Sequence, residues 1–225
     1  MIELIVDGSA IAVAEGQTVL EACLDHGIYV PHLCFMKGMQ SPPASCRLCF
    51  VEVAGTQQPV PSCKLKASDG MQVSTATPAV RRLQRAAFRL LRSVHRLDCK
   101  TCASNRKCVL QNLARFLSVP LKPKRLDHIV REPSLEPAHA LFHYDPGKCV
   151  LCGRCVFVCH RQNKTHALLT FAKRGFNTVI SSFGVSDLEH PACEECRACV
   201  EICPVSAIFL KTDTDAERPP LPSPP

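Results

Sequence analysis

The sequence has no tryptophan, two tyrosines and an aromatic share of only 5%. Base-stacking surfaces need aromatics, and no RNP, homeodomain or helix-turn-helix pattern is present. A nucleic-acid reader is therefore disfavoured despite a formal net charge of +7. No stretch is apolar for long enough to cross a membrane, which takes about 20 residues. The opening residues MIELIVDGSAIAV lack a basic n-region and a long apolar run, so they read as a strand and a turn rather than a secretory signal. There is no G-x-G-x-x-G after a strand and no P-loop, which removes the common signatures for holding a dinucleotide or a nucleoside triphosphate. No catalytic constellation of the chain's own is visible.

Cysteine is what the sequence has in abundance: 16 in 225 residues. At about 7% this falls just short of a disulfide scaffold. Without a secretory signal the expected location is the reducing cytoplasm, where grouped cysteines bind metals more often than they pair. The basic charge has two readings. It is either a solvated surface or the counterweight to anionic clusters of iron, sulfide and thiolate.

The expected fold class is α+β, in a β-grasp domain, a small helical domain and a two-cluster ferredoxin domain. Residues 1–76 are the first. IELIV and AIAV flank Asp7-Gly8 as a hairpin. Thr18 caps a helix, VLEACLDH, that Gly27 ends. CFVEVAG, the segment near Cys63 and MQVSTA read as strands, and one helix on a small sheet is the β-grasp pattern. Residues 77–118 are helical, starting at Thr77-Pro78. Leu83, Ala87, Leu90 and Val94 recur on one expected apolar face, interleaved with Arg82, Arg85, Arg89, Arg92 and Arg96. That arginine stripe is either a solvated face or a docking surface for an acidic partner. Residues 119–138, with four prolines, form a linker. Residues 139–211 carry an internal repeat. The tail 212–225, with five prolines in its last seven residues, is expected to be disordered.

The repeat consists of Cys149, Cys152, Cys155, Cys159 and Cys193, Cys196, Cys199, Cys203, each C-x2-C-x2-C-x3-C, the second followed by Pro204. This is the spacing of bacterial two-cluster ferredoxins, in which the fourth cysteine of each run serves the other cluster. Cys149, Cys152, Cys155 and Cys203 are thus assigned to one 4Fe–4S cluster, and Cys193, Cys196, Cys199 and Cys159 to a second. The fourth cysteine is expected to start a helix that points away. Structural zinc, the alternative, prefers two cysteine pairs separated by a spacer. In the first domain Cys34, Cys46, Cys49 and Cys63 follow C-x11-C-x2-C-x13-C. A close central pair with two outlying thiolates suits a 2Fe–2S cluster held by a loop, with zinc or an unrelated loop as the alternative. Cys23, inside an amphipathic helix, reads as a small buried hydrophobe. Cys99, Cys102 and Cys108 then need one more ligand. His95 stands at H-x3-C-x2-C-x5-C. Alone it would read as a helix cap; beside three orphan thiolates it reads as the fourth ligand of a third 4Fe–4S cluster.

This order resembles the amino-terminal part of the large iron–sulfur subunit of respiratory NADH:quinone oxidoreductase, over about residues 1–211. The same module opens many iron-only hydrogenases and NAD-linked formate dehydrogenases. It also forms the small diaphorase subunit of NAD-reducing nickel–iron hydrogenase. CRLCFVEV, CVLCGRCVFVC and CRACVEICPVSAI look like the family's blocks. One departure is Ser41-Pro42-Pro43-Ala44-Ser45, where a more glycine-rich loop is expected before Cys46. Because no further domain follows residue 211, the resemblance favours the stand-alone subunit. It implies a non-catalytic relay of single electrons through one 2Fe–2S and three 4Fe–4S clusters. FMN and NAD would lie in a partner diaphorase subunit, and a nickel–iron hydrogenase small subunit would stand at the other end. The same relay in a formate dehydrogenase, a bifurcating complex or another low-potential reductase is the alternative. A structural zinc or nucleic-acid-binding protein is the remote one, and a redox sensor would need an effector domain that is not visible. Folding of the cysteine-rich half is expected to depend on metal.

Imidazole in place of thiolate removes one negative charge and so penalises the reduced form less, the logic by which histidine raises potential in Rieske centres. His95→Cys is therefore expected to lower the midpoint potential of that cluster. A redox titration that found no fall would contradict the charge argument.

Overall fold

The computed structural model describes residues 1–122, 129–131, 142–162, 168–182 and 196–210. The chain divides into two compact units. One comprises Met1–Leu90 and Arg115–Val119. The other comprises Leu91–Ala114 and the described residues of Pro120–Ser223.

The first unit is built on a five-stranded sheet. Strand β1 (Ile2–Val6) pairs antiparallel with β2 (Ser9–Val13), with Ile2 opposite Val13 and Val6 opposite Ser9. The two-residue turn works because Asp7 and Gly8 both adopt positive φ, 49° and 86°, as a tight right-twisted hairpin requires. The Asp7 carboxylate also accepts from the Thr75 backbone N–H at 2.8 Å and from its hydroxyl at 2.6 Å. These bonds fix the end of β5 (Met71–Ser74), which runs parallel to β1. Strand β3 (Phe50–Val53) lies on the other side of β5, and the two-residue β4 (Val60–Pro61) forms the edge. The sheet order is β2-β1-β5-β3-β4. The period of two places Leu4, Val6, Ile11 and Val13 in the core.

Helix α1 (Val19–Asp25) covers this core with Val19, Leu20, Ala22 and Cys23. The Thr18 side chain accepts from the Glu21 N–H at 3.2 Å, a cap worth about 1 kcal/mol. Gly27, at φ 72°, provides the left-handed exit. The N–H groups of Val19 and Leu20 bond the carbonyls of Leu65 and Ser62, so the start of the helix is anchored to the loop that carries Cys63.

Helix α2 (Pro78–Ser93) starts where the Thr77-Pro78 signal places it, with the Thr77 hydroxyl accepting from the Val80 N–H. Its buried face differs from the expected one. Val80, Gln84, Ala87 and Phe88 are buried, whereas Leu90 is 63% exposed. Phe88 and Leu90 lie about 200° apart on a helix, so packing on Phe88 turns Leu90 to solvent. Gln84 can be buried because its amide donates to the Phe50 carbonyl at 3.1 Å and accepts from Arg81 at 3.0 Å. The arginine stripe is not uniformly solvated either: Arg92 is only 4% exposed. Arg85 donates to the Leu117 carbonyl at 2.9 Å, and Arg81 lies over the Phe116 ring, which meets Tyr29 edge-on.

The second unit contains helix α3 (Val109–Phe116) up to Ala114, and two small antiparallel pairs. Strand β6 (Phe142–Tyr144) pairs with β9 (Ile208–Leu210), and β7 (Thr170–Ala172) with β8 (Val179–Ser181). Helix α4 (Arg154–Gln162) packs on the short α5 (Ala198–Glu201). Most of the expected linker and the proline-rich tail lie outside the described residues. No helix among the described residues is long and apolar enough to cross a membrane.

Cys23 lies in the core as a small hydrophobe, and burial pushes its thiol from 9.0 up to about 12. A group whose folded pKa is raised contributes stability below its unfolded pKa and loses it as pH rises through the folded value. The thermal midpoint of the cluster-loaded chain is expected to fall between pH 9 and 12. Cys23→Ala, less stable at pH 8, should fall less over that range, so the gap between the two narrows.

Candidate metal centres

In the first unit Cys34, Cys46, Cys49 and Cys63 are all buried. They come together as two pairs. The Cys34 and Cys46 sulfurs are 3.4 Å apart, and the Cys49 and Cys63 thiols hydrogen-bond each other. The Cys46 thiol holds the Cys34 thiol down to about 5. Cys46 and Cys49 are pushed up by their partners and by burial. Backbone N–H groups also point at sulfur: those of Cys46 and Ser45 at Cys34, of Leu48 at Cys46 and of Cys63 at Cys49. The loop turns sharply enough to present them because Ala44 and Arg47 adopt positive φ, 52° and 53°. Ala44 lies in the proline-rich segment before Cys46, in a conformation that costs an L-residue roughly 1–2 kcal/mol. Ser62 clamps the loop by donating to the Cys49 carbonyl from both its hydroxyl and its backbone N–H, at 2.7 and 2.9 Å.

The second unit holds His95 and the next three cysteines. His95 lies just past the end of α2 and is 5% exposed. Its Nδ1 meets the Lys148 carbonyl at 2.7 Å. A carbonyl accepts, so Nδ1 carries the proton and Nε2 the lone pair. Burial lowers the imidazole pKa and favours this neutral form. Cys108 is buried immediately before α3, where the N–H groups of Leu110 and Gln111 point at its sulfur and burial pushes its thiol up to about 11. Cys99 and Cys102 are half-buried and close enough for their charges to act on Cys108. The Cys108 loop touches the segment after Cys203: Val109 donates to the Pro204 carbonyl at 3.2 Å, and the hydroxyls of Ser104 and Ser206 bond each other.

Cys149, Cys152, Cys155 and Cys203 line one cavity, closed by Tyr144, Val150, Ile180, Val205 and Ile208. Burial is the largest cause pushing the first three thiols up, Cys152 to about 12. The N–H groups of Leu151 and Ala207 donate to the sulfurs of Cys149 and Cys203 at 3.4 and 3.2 Å. The Tyr144 hydroxyl accepts from the Ile180 N–H at 3.1 Å and donates to the Cys149 sulfur. The expectation that the fourth cysteine of a run starts a helix is not met. Leu151 and Gly153, at φ 52° and 74°, wind the loop so that α4 begins at Arg154. Cys159 is then carried one turn after Cys155 and takes an N–H from Leu168 at 3.4 Å. Cys196 and Cys199 flank the start of α5, and Cys199 lies close enough to act on Cys155. Cys193 lies outside the described residues. Among the described residues no three His, Cys, Asp or Glu side chains close on a single metal ion.

Cysteine spacing says nothing of Tyr144, Ser62 or Ser104. The one legible hint of the outer contacts is Asp145-Pro146-Gly147, a turn signal just ahead of Cys149.

Residues 1–78 match the family of 2Fe-2S iron-sulfur cluster binding domains. Residues 84–120 match the NADH-ubiquinone oxidoreductase-G iron-sulfur binding region, and 141–164 a 4Fe-4S binding domain. The chain is 32% identical over 215 residues to the NADP-reducing hydrogenase subunit HndD of Solidesulfovibrio fructosivorans, covering 92% of this chain and 36% of that one. It is 34% identical over 217 residues to an NADH-quinone oxidoreductase subunit of Rhizobium meliloti, covering 93% and 24%. The chain thus spans about a quarter to a third of these curated relatives. A chain in the crystal structure of an NAD+-reducing [NiFe]-hydrogenase in the H2-reduced state superposes with a TM-score of 0.79 at 29% identity, covering 93% of this chain and 87% of that one.

Proposed function

We propose that this chain, homologous to the iron–sulfur subunits of hydrogenases and NADH-linked oxidoreductases, is an electron relay within an NAD-linked hydrogenase complex. The observation that carries the reading is the cavity lined by Cys149, Cys152, Cys155 and Cys203. One sulfur there comes from some fifty residues away, and buried thiols pushed upward by desolvation fit a cationic group that offsets them as thiolates.

The donor sets support four clusters. In a β-grasp domain Cys34 and Cys46 would hold one iron of a 2Fe–2S cluster and Cys49 and Cys63 the other, following the two observed pairs. His95, Cys99, Cys102 and Cys108 would hold one 4Fe–4S cluster, with Nε2 as the histidine ligand because Nδ1 is committed to Lys148. Cys149, Cys152, Cys155 and Cys203 would hold the second 4Fe–4S, and Cys159, Cys193, Cys196 and Cys199 the third. When bound, such clusters accept and donate single electrons. The chain's residues hold sulfur in place, exclude water with Val150, Ile180, Val205 and Ile208, and aim N–H dipoles at the thiolates. Those dipoles favour the more negative, reduced state. Flavin and NAD(H) would be bound by a partner diaphorase subunit and hydrogen chemistry by a hydrogenase partner, in the cytoplasm.

The test is the cofactor content of the complex that co-purifies with the tagged chain under anaerobic conditions. Iron, flavin and nickel together are expected. Flavin with molybdenum or tungsten and no nickel would move the relay to a formate dehydrogenase or another reductase. A chain carrying zinc instead of iron would overturn the relay itself.

Tyr144 donates to the Cys149 sulfur, a bond that gains strength as the thiolate gains charge. Tyr144→Phe is expected to lower the midpoint potential of the cluster at that cavity and to leave the 2Fe–2S potential unchanged, as read by redox titration followed by electron paramagnetic resonance.

A further inference from the structure

The carbonyl that meets His95 belongs to a tightly held segment. The Asp145 carboxylate accepts from the Gly147 N–H through Oδ1 at 2.9 Å and from Arg96 Nη1 through Oδ2 at 2.9 Å. The Arg96 backbone N–H donates to the Gly147 carbonyl at 2.6 Å. Lys148 N–H returns to the Asp145 carbonyl, and Lys148 Nζ pairs with Asp98 at 3.0 Å. The chain comes so close here that any side chain at 147 would push the Arg96 head and Val130 aside. A Cβ would lie 2.6 Å from Arg96 Nη2 and 2.9 Å from both Arg96 Cζ and Val130 Cγ1. The Arg96 head is normally free to swing aside, but Asp145 holds it.

The geometry points to Arg96, Asp145 and Gly147 as positioning residues that aim the Lys148 carbonyl at His95 Nδ1, and so determine which imidazole nitrogen faces the metal. The inference rests on the reading of His95 as a cluster ligand. Arg96 and Asp98 closely follow the histidine in sequence, and Lys148 precedes Cys149. The clamp therefore joins the histidine site to the segment that begins the next cysteine run. A ligating histidine is oriented and made more basic by the acceptor on its other nitrogen. Loosening that acceptor should change the electronic state of the imidazole even when the ligand count is unchanged.

The test uses the full cluster-loaded chain, with Gly147→Ala, Arg96→Ala and Arg96→Lys made in both the native and the His95→Cys background. Iron content and pulsed electron paramagnetic resonance of the reduced clusters are the readouts. Histidine ligation gives a directly coordinated nitrogen coupling and a remote-nitrogen quadrupole coupling, and the latter reports the Nδ1–H bond. The expected result is full iron content, a shifted remote-nitrogen coupling in Gly147→Ala and Arg96→Ala, and partial return in Arg96→Lys. In the His95→Cys background the same substitutions should leave that cluster's signal unmoved. Unchanged remote-nitrogen coupling in Arg96→Ala would overturn the clamp while leaving the ligand reading intact. So would an equal shift of the cluster signal in both backgrounds. Absence of any coordinated nitrogen coupling in the unsubstituted chain would overturn the ligand reading, and the clamp with it. Should Gly147→Ala fail to retain iron, the Arg96 pair decides.

Discussion

A thiolate removed from water must be compensated by a proton, by N–H donors or by a metal, and both units are organised round this constraint. In the first unit the four buried cysteines are compensated locally. They share protons in two pairs and draw N–H groups from a loop whose left-handed residues turn the backbone inward. In the second, desolvation dominates. Thiols at the Cys149 cavity are raised despite the N–H groups that reach them, because apolar side chains close the cavity. A site that penalises bare thiolate this strongly is suited to a cationic group and releases protons on taking one up.

The sheet of the first unit exists largely to support such a loop. Its strands are short, and β4 has only two residues. The Cys63 end is held by bonds to the start of α1 and by Ser62 to Cys49. The apolar face of α1 and the alternation of β1 and β2 supply the hydrophobic core that makes those bonds persistent. Helix α2 follows the same economy. It buries Phe88 and a satisfied Gln84, and exposes Leu90.

In the second unit, hydrogen bonds tie the histidine site to the neighbouring cysteine run. His95 reaches the carbonyl before Cys149, and the loop of Cys108 reaches the segment after Cys203. Both links end on backbone carbonyls, with the Arg96–Asp145 and Lys148–Asp98 ion pairs beside the first and the Ser104–Ser206 bond beside the second. Backbone groups cannot be lost by a side-chain substitution and have little rotamer freedom, which suits groups that must keep a fixed separation.

Spacing in the sequence was enough to identify the hairpin, the capped helix and the start of α2. Each of these is a local property, set by turn chemistry, periodicity or the reach of a few residues. The register of α2 was not legible, because which of two adjacent apolar stripes is buried depends on what packs against it. Nor was the helix start at Arg154, which follows from two left-handed residues inside the cysteine run. The pairing of Cys34 with Cys46, the Tyr144 bond to Ile180 and the grip of Arg96 on Asp145 join residues up to 49 positions apart. Only the tertiary structure decides such contacts, since they arise from packing and backbone direction rather than from any local pattern.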